Sequence, residues 1–200
     1  YDVVLVDLMS DEQKKPGYVA MNPNGRTPTL VDHSASPPFC VFESGAILLY
    51  LSDTYGEKVS AATKAKQLSW VVWANSELDG LCFGAVPGDH RVRGTAMDRP
   101  DIRSVGRLEE ILGEREWLVD GEFSIADVAV GSYLNYVPIF FGNANLGATP
   151  NIVAYMKRCA ERPAFGTSFG AGHAQLVQQK AAEWSKAPAA AGGGFKMPWE

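Results

Sequence analysis

Cysteine, histidine and positive charge are all scarce in this chain of 200 residues. Its three cysteines, Cys40, Cys82 and Cys159, are odd in number, far apart and never at CxxC spacing. That excludes a disulfide framework, a zinc site and a dithiol redox centre. Each stands among apolar neighbours and reads as a buried small hydrophobe in a reducing compartment. His33, His90 and His173 lack metal-ligand spacing as well, so no metal is expected. The 18 Lys and Arg against 23 Asp and Glu leave a formal charge of −5. With no basic excess to meet phosphates, nucleic acid is not an expected partner. No apolar run approaches the roughly 20 residues that span a bilayer, so no transmembrane segment is expected. Tyr1-Asp2-Val3-Val4 does not have the charged start of a secretion signal. The expectation is an intracellular protein, cytoplasmic or organellar.

What is present is enough apolar surface for a real core, 46% of residues, in two different periodicities. Val3-Val4-Leu5-Val6 is rich in β-branched residues and bounded by Asp2 and Asp7, which predicts a strand over 2–8. Pro16-Gly17 allows only a short irregular helix over 11–20. Thr29-Leu30-Val31 and Phe39-Cys40-Val41-Phe42 read as two short strands joined by a hairpin loop, followed by a helix from Ser44 to the stop at Gly56. Beyond Gly56 every periodic segment is helical. Leu68, Val71, Asn75, Leu78 and Cys82 share one face of a helix over 62–83, and Ile102, Val105, Leu108 and Leu112 mark the next. Ser124-Ile125-Ala126-Asp127 fits a capping box, and Pro150 and Pro163 bracket a further helix. The expected division is an α/β domain over 1–57, an all-helical domain over 61–170, and a tail over 171–200. That tail contains the Ala/Gly-rich linker from Lys186 and ends in Phe195-Lys196-Met197-Pro198-Trp199, read either as disorder or as a docking peptide.

Two short motifs carry the chemistry. In Met21-Asn22-Pro23-Asn24-Gly25-Arg26-Thr27-Pro28, a turn-rich loop feeds a proline-started strand. Since only about 5% of X-Pro bonds in folded proteins are cis, the residues alone favour a trans Thr27-Pro28 bond at a sheet edge. Glu43-Ser44 opens a helix, where unpaired amides and the positive dipole end attract a carboxylate while the glutamate can accept from an ammonium. The alternative is that Ser44 only caps its helix.

Together these motifs resemble the glutathione-binding half of the glutathione transferase family, and the capping box stands where that family nucleates a helix of its second domain. The resemblance covers residues 1 to about 170. It implies a thioredoxin-like N-terminal domain followed by a helical bundle, with glutathione as co-substrate. It further implies a cis bond at Pro28, with the Thr27 backbone pairing with the cysteinyl backbone of glutathione. Thr27, Pro28, Glu43 and Ser44 are the candidate binding residues. Family members carry a strand and helix ahead of the segment that Tyr1 to Leu8 resembles, and that piece holds the tyrosine, serine or cysteine that activates the thiol. The natural protein is therefore expected to be longer at its amino end, or another chain supplies the strand. No residue here is assigned as catalytic; Tyr18 and Cys40 do not occupy the matching position. Two functions follow. One is a transferase, with Trp70, Trp73 and Phe83 shaping the electrophile pocket. The other is a non-catalytic docking module of a larger protein complex. The family is commonly homodimeric, so the partners expected are glutathione and either a second copy or a larger assembly.

Overall fold

A computed structural model of the chain describes residues 1–84 and 93–186. The tail beyond Lys186 and the centre of the 84–100 loop lie outside the described residues. The chain divides into two units, Tyr1–Val59 and Ser60–Glu200.

The first unit begins with residues 1–7 in no regular structure. A strand was expected over 2–8, but Val3, Val4 and Leu5 are 73%, 83% and 89% exposed and join no ladder among the described residues. A β-branched run becomes a strand only through pairing, and no described strand faces this one. A 3-10 turn, Glu12–Lys14, and the one-turn helix α1, Pro16–Val19, follow. The chain then reverses through Pro23-Asn24-Gly25. Gly25 has φ 55°, and a Cβ there would lie 2.9 Å from the Gln13 carbonyl oxygen, so the turn requires glycine. Strand β1, Thr29–Asp32, pairs antiparallel with β2, Phe39–Phe42, in the register Thr29 to Phe42 and Asp32 to Phe39.

The hairpin leads into α2, Ser44–Tyr55, which stops at Gly56. Asp32, Ser34 and Tyr50 fasten helix to hairpin: Asp32 Oδ1 accepts from the Ser34 amide at 2.7 Å, and the Tyr50 hydroxyl donates to Oδ2. Chiefly the Ser34 hydroxyl, and then Tyr50, hold the Asp32 carboxyl below its usual range. The same bond pushes the Tyr50 phenol up.

The described part of the second unit is built on helices: α3 (Ala61–Trp73), α4 (Asp79–Phe83), α5 (Arg103–Glu114), α6 (Ile125–Phe140), α7 (Pro150–Glu161), α8 (Pro163–Ser168) and α9 (Ala171–Trp184). One regular helix over 62–83 was expected, yet a π-helical turn, Ala74–Leu78, separates α3 from α4. The Asn75 side-chain amide takes the Val71 carbonyl at 2.8 Å, which accounts for the widened turn. Of the expected face Val71, Leu78 and Cys82 are buried, with Ala74 beside them, whereas Leu68 and Asn75 are exposed, because the widened turn rotates Asn75 off that face.

Helix α6 packs against α3, α4, α7 and α9, and supplies Ala126, Val130, Leu134 and Val137 to the core. Helix α9 also lies along α7, with Val177, Ala181 and Trp184 buried and the Trp184 indole donating to the Ala144 carbonyl at 2.7 Å.

Candidate functional site

The hairpin register decides what the two motifs can do together. Because Thr29 stands opposite Phe42, the residues just before β1 and those just after β2 emerge at the same end of the ladder. Thr27-Pro28 precedes β1 and Glu43-Ser44 follows β2, so all four come to that end. The Asn24 side-chain amide donates to Glu43 Oε1 at 2.9 Å, spanning the gap between them. The Thr27–Pro28 bond is cis, and both residues are exposed. A second cis bond, Ser36–Pro37, lies in the hairpin loop.

Glu43 adopts φ 67° and ψ 123°, a region that a residue with a side chain rarely enters. Such a conformation costs about 1 to 3 kcal/mol and persists only where its surroundings impose it. Glu43 occupies the cap position of α2: its carbonyl accepts the first helical bond, from the Ile47 amide at 3.0 Å, and its side chain makes no capping bond. Ser44 is thus the first helical residue rather than the cap. The α2 amino end presents first-turn amides and a positive dipole end beside a glutamate carboxylate, a pairing suited to a ligand that carries both an anion and an ammonium.

The loop before β1 is braced from within. The buried Asn22 amide donates to the Arg26 carbonyl at 2.7 Å and to Thr29 Oγ1 at 3.2 Å, while its oxygen accepts from the Asn24 amide at 3.0 Å. The Tyr18 hydroxyl lies 2.9 Å from both the Arg26 carbonyl and Thr29 Oγ1. Asn22 and Asn24 were not singled out in the sequence; their signal is the Asn-Pro-Asn-Gly turn, in which a side chain at the first position can bond back to the loop.

Trp70 and Trp73 meet edge to face at 5.4 Å and line a cavity of about 370 Å³ with Ser69, Arg103, Ser104 and Arg107. Phe83 is not among that lining; it packs with Tyr133 and Phe140 at 6.1 and 5.6 Å. Cys82 and Cys159 are buried, and burial pushes the Cys159 thiol up to about 12. Cys40 is exposed, against the expectation that all three cysteines are buried: it lies on a two-stranded ribbon, and among the described residues none covers it. The capping box forms as expected. Asp127 accepts from the Ser124 amide and hydroxyl at 2.9 and 3.2 Å, and also from the Leu118 amide and the Tyr155 hydroxyl, both at 3.0 Å. Among the described residues no group of three or more His, Cys, Asp and Glu could hold a metal ion, and no helix is long and apolar enough to cross a membrane.

A small α/β unit with a cis-proline loop beside a helix amino end, followed by a helical unit in which a capping box starts α6, defines a thioredoxin-like domain joined to a helical bundle. Residues 1–53 match the family Glutathione S-transferase, N-terminal domain, and residues 101–163 match Glutathione S-transferase, C-terminal domain. The chain is 31% identical over 178 residues to the Disulfide-bond oxidoreductase YfcG of Escherichia coli, covering 83% of this chain and 81% of that one. It is 29% identical over 193 residues to Glutathione S-transferase 1 of Schizosaccharomyces pombe, covering 84% of each. Its fold is similar to the glutathione transferase URE2P6 from Phanerochaete chrysosporium in complex with oxidized glutathione, with TM-score 0.66 and 27% identity over 92% of this chain and 86% of that one. The chain belongs to the glutathione transferase family.

Proposed function

We propose that this chain binds glutathione at the end of its hairpin, with Thr27, Pro28, Glu43 and Ser44 as the contacting residues. The observation that carries the reading is the register, through which an exposed peptide backbone at Thr27 and the amino end of α2 stand side by side. Glutathione offers a peptide backbone at its centre and an α-carboxylate with an α-ammonium at one end. The Thr27 backbone amide and carbonyl pair with the former. The α2 first-turn amides and the Ser44 hydroxyl take the carboxylate, and the Glu43 carboxylate takes the ammonium.

The reaction that follows is conjugation of the thiol to an electrophile, once a group favours the thiolate, since a free thiol is mostly protonated at neutral pH. A disulfide-bond oxidoreductase and a transferase stand at similar identity to this chain, and binding glutathione through these residues precedes either chemistry. The same reading keeps 1–57 as the glutathione-holding domain and 61–170 as the helical one.

The test is retention on immobilised glutathione with elution by the free tripeptide. Wild-type protein is expected to be retained, and Glu43→Ala combined with Ser44→Ala to pass through while keeping its circular dichroism spectrum. Passage of the wild type would overturn the reading.

A further inference from the structure

The buried polar side chain in the first unit that serves neither a helix nor the ladder is Asn22, 1% exposed. An unpaired amide in such a place would cost about 1 to 3 kcal/mol, so its partners explain its presence. All lie within Asn24 to Thr29, the loop before β1 and its first residue. One hydrogen bond reaches the carbonyl of Arg26, immediately before Thr27. A second, from the same nitrogen, reaches the hydroxyl of Thr29, immediately after Pro28. The oxygen accepts from the amide of Asn24, and the Asn24 side chain in turn holds Glu43 Oε1 at 2.9 Å. One amide therefore clamps the Thr27-Pro28 peptide on both sides and, through one relay, fixes the carboxylate of Glu43.

We infer that Asn22 is the positioning residue that sets the Thr27 backbone and the Glu43 carboxylate in register with one another, so that both ends of one peptide ligand can be held together. Asn22 contacts no ligand itself. The inference rests on the glutathione reading of the site. Tyr18 supports only one of the two arms, because its hydroxyl meets Arg26 and Thr29 but nothing on the Glu43 side.

The two arms are separable by substitution. Asn22→Asp keeps an oxygen for the Asn24 amide but sets a carboxylate oxygen against the Arg26 carbonyl, where the native nitrogen donates at 2.7 Å. It disables the Thr27 arm. Asn24→Ala, at an exposed position, removes the bond to Glu43 and leaves the Arg26 and Thr29 bonds of Asn22 in place.

Binding of glutathione and of cysteinylglycine, which lacks the γ-glutamyl end, is measured by nuclear magnetic resonance titration on wild type and both variants, together with the thermal midpoint. The expected result is that Asn22→Asp weakens both ligands by about tenfold, the loss of roughly one hydrogen bond's alignment, while Asn24→Ala weakens glutathione alone. If Asn22→Asp does not fold, the selectivity of Asn24→Ala decides. Wild type that binds, with variants that bind equally well or lose both ligands in proportion to their thermal midpoints, overturns the positioning role and leaves the glutathione reading standing. Wild type that binds neither ligand overturns both.

Discussion

Replacing Asp127 with alanine should remove a large share of the helical unit's stability, and the cost can be worked from its four hydrogen bonds. Asp127 Oδ1 accepts from the Leu118 amide and the Tyr155 hydroxyl, and both of those residues are buried. Truncation leaves two donors in a dry environment, at about 1 to 3 kcal/mol each. Oδ2 accepts from the Ser124 amide and hydroxyl, so half of the capping box of α6 is lost as well, at about 1 kcal/mol. Against this stands the relief of a desolvated carboxylate: burial is the largest influence on Asp127 and pushes its carboxyl up despite the donors. The net expectation is a loss on the order of 3 to 5 kcal/mol. Trp117 lies 6.1 Å from the Tyr155 ring, so its fluorescence reports the change in urea unfolding. The Asp127→Asn variant should be intermediate, since one oxygen can keep Leu118 and Tyr155 while the nitrogen faces the Ser124 amide. An alanine variant within about 1 kcal/mol of wild type would refute the claim that this carboxylate organises the unit.

Two carboxylates should shape the acid side of the stability profile with opposite signs. Asp32 is held below its usual range, so its contribution is present above the unfolded value and is lost as pH falls through the lowered one; Asp127 is raised, so its contribution is present at low pH and is lost as pH rises through the raised value. Hydrogen exchange of each unit, with Asp32→Asn and Asp127→Asn each flattening its own slope, checks both signs. Glu109 of α5 should matter through a helix it does not belong to, because its two oxygens accept from the Asn151 and Ile152 amides of α7 at 2.7 and 2.8 Å. Glu109→Ala should cost about 1 to 2 kcal/mol in urea unfolding, more than a typical surface change. Among the thiols, Cys40 alone should react promptly with a thiol reagent in native protein, with Cys82 and Cys159 following only in denaturant, as their burial and raised thiol values require.

The elements most legible in the sequence are those whose signals are local. The Ser124 to Asp127 box, the start of α7 at Pro150 and its end before Pro163, the Gly56 stop and the inward face of α5 all follow from chemistry within one or two turns, whereas the start of α8 at Pro163 was not expected. The turn at Pro23-Asn24-Gly25 and the helix start at Ser44 were equally legible as local structure, because a turn sequence and a helix start can be read without knowing the fold, whereas the residues by themselves favoured a trans bond at Pro28 and the bond is cis. What could not be read depends on distant groups. The run from Val3 to Val6 is strand-like in composition, yet strand formation depends on a neighbour. The π-helical turn at Asn75 depends on a side chain competing for the Val71 carbonyl. Helix α9 begins after Gly170 at φ 92° without a side-chain cap, so it is held by packing on α7 and offers no start signal. Asn22 shows the same limit at the site itself: its sequence position marks a turn, and only the folded loop reveals that its bonds surround Thr27 and Pro28.

The central claim is most directly tested by titrating the isotope-labelled protein with glutathione while following backbone amide resonances. Saturable shifts should concentrate at Thr27, Ser44 and Gly45, at the end of the hairpin where the register brings β1 and α2 together. Absence of any saturable shift, or shifts confined to the helical unit, would contradict the account.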